Sequence, residues 1–333
     1  MKKLLIAIIG AALLWSGYWF WQASQQRAAF ERWFDDRHAA GWAADYSALE
    51  ITGFPNRIDT TLTAPRLGDP ASGLVWEAPF FQILRLSYNP GHVIMVWPEV
   101  QRFATPETEV TLRADDLKAS LRMADLAQWV PERLVIAGQG VDVVSEGGVQ
   151  FAAETAQLSA ERMATREDQY RVAFDASGVS GVIPNWIEVT SAKDENPVLD
   201  LLRASAVVTF DRPLNRSAIE AGRPQIAALD LTIAEAEWSG LELAMAGELL
   251  VDGMGVPTGR LTLKVRNWRD MLAQEAEAGR ISATAMGQIE FTLNLISTLS
   301  GNPETLDLPF DFAEGKVWLG PLSLGAAPIL RVP

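Results

Sequence analysis

Residues 4–21 contain no charged side chain, and an apolar stretch of roughly 18–20 residues is what one helix needs to cross the hydrocarbon core of a bilayer. Whatever the rest of the chain folds into must therefore accommodate a membrane-spanning rod at this end. Lys2 and Lys3 precede the run and favour the cytoplasmic side, while Tyr18, Trp19, Phe20 and Trp21 fall where amphipathic rings settle at the opposite interface. Residues 1–3 are read as a cytoplasmic end, residues 4–21 as a single-pass transmembrane helix of the inner membrane, and the body as periplasmic. Arg27 and Arg32 follow the span, so the charge bias behind this orientation is small. A cleaved secretory signal begins in the same way. Cleavage needs small residues at the exit, and Trp21-Gln22-Ala23 puts a Trp at the outer position, which favours a retained anchor.

A chain of 333 residues leaves enough beyond the span to bury a substantial core. The formal net charge of −14 argues against nucleic acid, and against anionic headgroups as a broad electrostatic partner. Cysteine is absent, so neither disulfides nor thiolate chemistry contributes, and stability rests on packing and hydrogen bonds.

After the span, residues 22–45 are rich in Ala, Gln and charge. Phe30, Trp33 and Phe34 recur at helical spacing, which predicts a helical stalk whose aromatic face docks on the body or lies in the membrane interface; docking is favoured because no Lys-rich polar face is present. Gly41 stops the helical run. From Tyr46 the period drops to two. Residues 49–51 and 58–62 form a first hairpin across Gly53-Phe54-Pro55-Asn56-Arg57. Further strands are expected at 74–76, 82–88, 93–97, 109–113, 119–123, 134–144, 149–160 and 170–177. Asn89-Pro90-Gly91, Glu146-Gly147-Gly148 and residues 165–169 return the chain antiparallel, since parallel pairing needs far longer connections. This is an N-terminal β-rich region, 46–180.

Gly, Pro, Asn and charge mark 181–197 as an irregular connection to a C-terminal β-rich region, 198–333, with helices. Strands are expected there at 203–210, 226–238, 241–252 and 260–265, with Val256-Pro257-Thr258-Gly259 as a tight return. Asn267 is the expected N-cap of a helix over 268–278, stopped by Gly279, and a second helix is expected over 282–299. Residues 310–312 and 316–319, joined by Ala313-Glu314-Gly315, are read as a closing hairpin at a sheet edge.

Catalytic constellations are missing from this pattern. His38 lies in the stalk and His92 in an expected turn, so neither a metal cluster nor a Ser-His-Asp triad has its spacing. Val251-Asp252-Gly253-Met254-Gly255 lacks the Lys of a phosphate loop, and Asp115-Asp116 reads as a solvated turn. No catalytic residue, metal or cofactor is assigned, and a non-enzymatic role is expected. The short motif singled out is Gly53, Phe54, Pro55 and Arg57: Gly53 permits an unusual torsion, Pro55 fixes one, and Arg57 locks the turn through an acidic neighbour or captures a lipid phosphate. The first of these is favoured in so acidic a chain. Trp76, Tyr88 and Trp97 are either core or the wall of a pocket.

Two blocks carry a family resemblance. Gly53-Phe54-Pro55-Asn56-Arg57, Leu62-Thr63-Ala64-Pro65, residues 69–79 and Tyr88-Asn89-Pro90-Gly91-His92-Val93-Ile94 form the first. Gly247-Glu248-Leu249-Leu250-Val251-Asp252, residues 257–263 and Gly315-Lys316-Val317-Trp318-Leu319-Gly320-Pro321 form the second. Together they resemble the alphaproteobacterial domain of unknown function 2125 family, over nearly the whole chain. The resemblance implies an N-terminally anchored envelope protein and no catalytic residue. In cadence alone the chain is also similar to AsmA-type envelope proteins. That likeness implies a curved sheet with a concave apolar face for acyl chains, against which an ordinary sandwich core is the favoured alternative. The expected fold is mainly β with a few helices (α+β): transmembrane helix, stalk, then large antiparallel curved sheets. The expected partners are the membrane, a phospholipid, or an envelope protein held through the β-surface, the last making the chain an adaptor; an unrecognised hydrolase is least favoured.

Overall fold

The computed structural model describes residues 1–145, 148–181, 199–238, 240–277 and 305–332, and these are mostly antiparallel β-sheet. The chain opens with α1 (Lys2–Ala39), one unbroken helix of 38 residues that merges the expected span and stalk. It contains no Pro, and Ala, Gln, Glu and Arg carry it past the apolar run. Gly41, at φ 83°, then turns the chain. The expected stalk extended to residue 45; instead Ala43–Asp45 is a strand, because tertiary pairing with residues 66–68 overrides the helical propensity of Ala.

The described residues fall into two compact units, Met1–Ala127 with Glu132–Phe151 (unit 1) and Gln128–Pro131 with Ala152–Pro333 (unit 2). The division falls near residue 151, whereas the connection expected at 181–197 lies almost wholly outside the described residues.

Unit 1 contains β1 (Ala43–Asp45), β2 (Ala48–Thr52), β3 (Arg57–Thr63), β4 (Arg66–Gly68), β5 (Val75–Glu77), β6 (Phe80–Leu86), β7 (Asn89–Val96), β8 (Val100–Ala104), β9 (Glu109–Arg113), β10 (Lys118–Asp125) and most of β11 (Val130–Ser145). Register joins them in two interleaved antiparallel rows, β2-β3-β6-β7-β10 and β1-β4-β5-β8-β9-β11. Their core draws on both rows. Phe34, Ala44, Leu49 and Leu62 are buried together, with Phe30, Trp42, Tyr46, Leu67 and Phe81 packed around them. Strands β1, β4 and β8 went unread in the sequence.

β12 (Gly148–Arg162) leads into unit 2, which runs through β13 (Gln169–Gly181), β14 (Leu199–Phe210), α2 (Arg216–Ala221), β15 (Ile226–Trp238), β16 (Leu241–Val251), β17 (Pro257–Arg266), α3 (Trp268–Glu277), β18 (Leu306–Ala313), β19 (Lys316–Leu319) and β20 (Leu322–Ala326). From β13 to β20 each strand pairs antiparallel with the next. The core here is Leu241, Val265, Trp268, Leu272 and Leu306. Helix α2, also unread in the sequence, is capped by Asn215, whose Oδ1 accepts from the Ala218 N–H at 2.9 Å.

Several turns differ from expectation. Ser87 and Tyr88 form the β6–β7 turn, and Asn89-Pro90-Gly91 already belongs to β7, Leu86 pairing with Asn89. The β16–β17 return is made by Asp252 to Val256, where Asp252 Oδ1 accepts from the N–H groups of Met254 and Val256, so Pro257 to Gly259 lie in β17. Asn267 precedes α3 but is left-handed (φ 58°), unlike the extended backbone of an N-cap. Its side-chain amide donates to the Gly240 carbonyl at 3.0 Å. The 310–319 hairpin forms across Glu314 and Gly315, yet β19 is covered by β20, which takes the edge position. Gly279, most of the Glu146–Gly148 turn and the helix expected over 282–299 lie outside the described residues.

Candidate functional site

The sequence motif 53–57 and the N-terminal helix meet at one place in unit 1. Residues Trp15, Trp19, Gln22, Gln26, Phe30 and Phe34 recur at steps of three and four, so they share one face of α1. That face lies along β3 and β6. At its N-terminal end, Trp15 Nε1 donates to the Pro55 carbonyl at 3.0 Å and Trp19 Nε1 to the Arg57 carbonyl at 2.6 Å. One turn on, Gln22 Nε2 donates to the Ser87 carbonyl at 2.9 Å. Its Oε1 accepts from Arg85, which also reaches Gln26, at 3.2 Å in each case. Further along, Phe34 enters the core and stacks edge-on against Tyr46 at 4.6 Å. Trp19, Gln22 and Phe34 are buried although they stand on the same helix as the exposed Leu4, Leu5, Ile6, Leu13 and Leu14.

Because α1 runs from Pro55 toward Leu62, the β2–β3 and β6–β7 turns both point back toward the apolar end of the helix. Gly53 has φ 99°, and a side chain there would press on the Cβ and carbonyl of Arg57, whose N–H bonds the Gly53 carbonyl at 2.8 Å. Phe54 packs edge-on against Trp19 at 5.5 Å and stacks on Phe20 at 5.8 Å, leaving half its surface exposed; the Phe54–Pro55 bond is cis. Arg57 is engaged two-pronged by Asp59, at 3.2 Å from Nε and 3.0 Å from the terminal nitrogen. Burial lowers the pKa of the Arg85 guanidinium from its ordinary value.

Of the three aromatics grouped by sequence, Trp76 and Trp97 are bridged through Phe81, at 5.9 and 5.2 Å, and Trp76 Nε1 donates to the buried Gln101 at 3.0 Å. Tyr88 is not with them. It stands 62% exposed on the β6–β7 turn, beside the motif 53–57 rather than the Trp76 cluster. Near that cluster lies an open cleft of about 490 Å³, its wall mostly apolar (Pro65, Ala78, Pro79, Val100) with the charges of Arg66, Glu77 and Arg102 at it, Arg66 and Glu77 paired at 2.9 Å. His92 lies in β7, not in a turn, and shares a hydrogen bond of 2.9 Å with Ser120 Oγ across the sheet. His38 Nε2 sits 3.3 Å from Asp45 and Lys118 pairs with Asp116, and among the described residues no His, Asp or Glu cluster is arranged to hold a metal.

Sequence reasoning took Tyr18 to Trp21 together as an interfacial belt and missed that Trp15, Trp19 and Gln22 hold unit 1. The stripe at 15, 19, 22, 26, 30 and 34 was available as a signal, but hydrophobicity all round the helix hid it. The sequence pattern of a family described as an uncharacterised protein conserved in bacteria (DUF2125) matches residues 19–328, and the chain belongs to that family. No curated protein and no solved structure matches the chain.

Proposed function

We propose that the protein is held in the bacterial inner membrane by α1 and works without catalysis as an envelope component, its sheets lying in the periplasm and handling lipid. The observation that carries the retained anchor is Trp19. It is 5% exposed and hydrogen-bonded to unit 1, so cleavage after the apolar run would strip a buried side chain from a folded domain. α1 is also long and apolar enough to cross a membrane. Lipid is the ligand class that an anchored, acidic, open β-body without a catalytic motif reaches most directly.

Mild extraction of the full chain followed by gel filtration and mass spectrometry tests this. Glycerophospholipid should remain in excess of that carried by α1 fused to an unrelated domain. Equal amounts would remove the lipid-handling role. Protease added to spheroplasts should digest the body, and protection would reverse the orientation. A second reading, an adaptor for another envelope protein, is favoured by one observation. β20 pairs only with β19 among the described residues, and Leu322 and Leu324 are 60% and 49% exposed on it, a profile suited to strand addition.

A further inference from the structure

The uncharged part of α1 that precedes its first hydrogen bond to the β2–β3 turn is too short to span a bilayer. Residues 4–14, bounded by Lys2 and Lys3 on one side and by the docked Trp15 on the other, rise about 16 Å, whereas the hydrocarbon core is about 30 Å thick. The remaining ~14 Å corresponds to roughly nine residues, which are those from Trp15 onward. Trp15 is bonded to Pro55, and Trp19 and Phe20 are packed on Phe54. If this segment completes the span, the β2–β3 turn enters the bilayer with it.

We infer that the β2–β3 and β6–β7 turns, together with the aromatic end of the span, form a collar seated in the outer leaflet of the membrane that α1 crosses. This rests on the retained anchor proposed above and adds that unit 1 sits in the lipid surface rather than on a stalk above it. Two observations beside length support it. The first is composition: Tyr18, Phe20, Trp21, Phe54, Leu86 and Tyr88 are all exposed at this end of unit 1, between 37% and 62%; the Tyr and Trp rings among them prefer the interface, and Phe20, Phe54 and Leu86 are apolar.

The second is the backbone. Hydrocarbon offers no water to an unpaired carbonyl, so a turn can enter it only with its polar groups satisfied. Here the Gly53 carbonyl accepts from Arg57 N–H, Pro55 from Trp15, Asn56 from the Ser87 N–H and hydroxyl, and Ser87 from Gln22. Arg57, the cation nearest the tip, is neutralised by Asp59. The helix geometry also orders the depths: Phe54, level with Trp19, lies deeper than Tyr88, level with Gln22.

The absence of cysteine makes the test direct. Full-length Gly10→Cys, Asn56→Cys, Tyr88→Cys and Thr63→Cys variants, each labelled with an environment-sensitive fluorophore, are reconstituted in phosphatidylethanolamine/phosphatidylglycerol vesicles. Nitroxide lipids of graded depth then quench the label. Gly10 has open space around its Cβ position, and Asn56, Tyr88 and Thr63 are exposed, so the substitutions leave the fold in place; far-UV circular dichroism checks this. Labels at 56 and 88 should lose about half their emission to shallow nitroxides, and the label at 63 should be unaffected. Quenching at 10 with water-like emission at 56 and 88 overturns the collar and leaves the anchor standing. Failure to quench at 10 overturns the anchor and the collar with it.

Discussion

Unit 1 and unit 2 solve the same problem, covering an antiparallel sheet with a helix, but they recruit different kinds of helix. In unit 2 the cover is α3, a local amphipathic helix between β17 and β18 that puts Trp268 and Leu272 against neighbouring strands. In unit 1 it is the C-terminal half of α1, whose Phe34 closes a core built from two interleaved rows of short strands. Unit 2 pairs each strand from β13 to β20 with the one that follows it in the chain. Unit 1 needs pairings between distant segments, β3 with β6 and β7 with β10. The lesson is one of dependence: unit 1 closes its core with the helix that carries the apolar run, and unit 2 closes its own with a helix from between its strands.

The strongest challenge to this contrast is Phe34→Ala, which empties the centre of the unit 1 core. It should cost about 3–5 kcal/mol there. Hydrogen exchange of the full chain, read by mass spectrometry segment by segment, should show β2, β3 and β6 opening while β14 to β17 keep their protection. Equal loss in both units would show that the two do not hold themselves together separately.

A smaller effect is expected from Gly247→Ala, which addresses unit 2 alone. Gly247 has φ 145°, and a Cβ there would collide with the Arg260 carbonyl oxygen on β17. The cost should be about 2–3 kcal/mol, and the same exchange measurement should localise it to β16 and β17. Protection lost first in unit 1 would contradict the division.

The contrast is sharpened by Gln22→Ala, the mildest change. It leaves the Ser87 carbonyl and one arm of Arg85 without their partner, at about 1–3 kcal/mol. The effect should appear as faster exchange at the β6–β7 turn with α3 and its core unchanged, and it would be absent if the helix merely rests beside the sheet.

Much of the architecture was legible because it depends on local periodicity. The strands at 109–113, 226–238 and 316–319 have the bounds that alternation and turn residues set for them, as does the first hairpin across 53–57 to within a residue or two. Errors occurred where one position could serve two partners. Asn89-Pro90-Gly91 has turn composition, yet cross-strand pairing moved the turn to Ser87 and Tyr88. Asn267 has the composition of an N-cap, yet a left-handed backbone and the Gly240 carbonyl claimed it.

By itself the sequence determined that a membrane-length apolar helix precedes an antiparallel β-body, because hydropathy and period two are properties of neighbours along the chain. It also supplied the motif Gly53-Phe54-Pro55-Asn56-Arg57 as a turn. Only the tertiary structure decided which face of that helix the body grips, that Trp19 and Gln22 bond the β2–β3 and β6–β7 turns, and that Tyr88 stands exposed on a turn tied to Asn56 while Trp76 and Trp97 gather on Phe81. A helix apolar all round carries no signal distinguishing lipid-facing from protein-facing rings. That distinction arises when backbone carbonyls at two hairpin turns, far away in sequence, come within hydrogen-bonding distance of particular indole and amide groups.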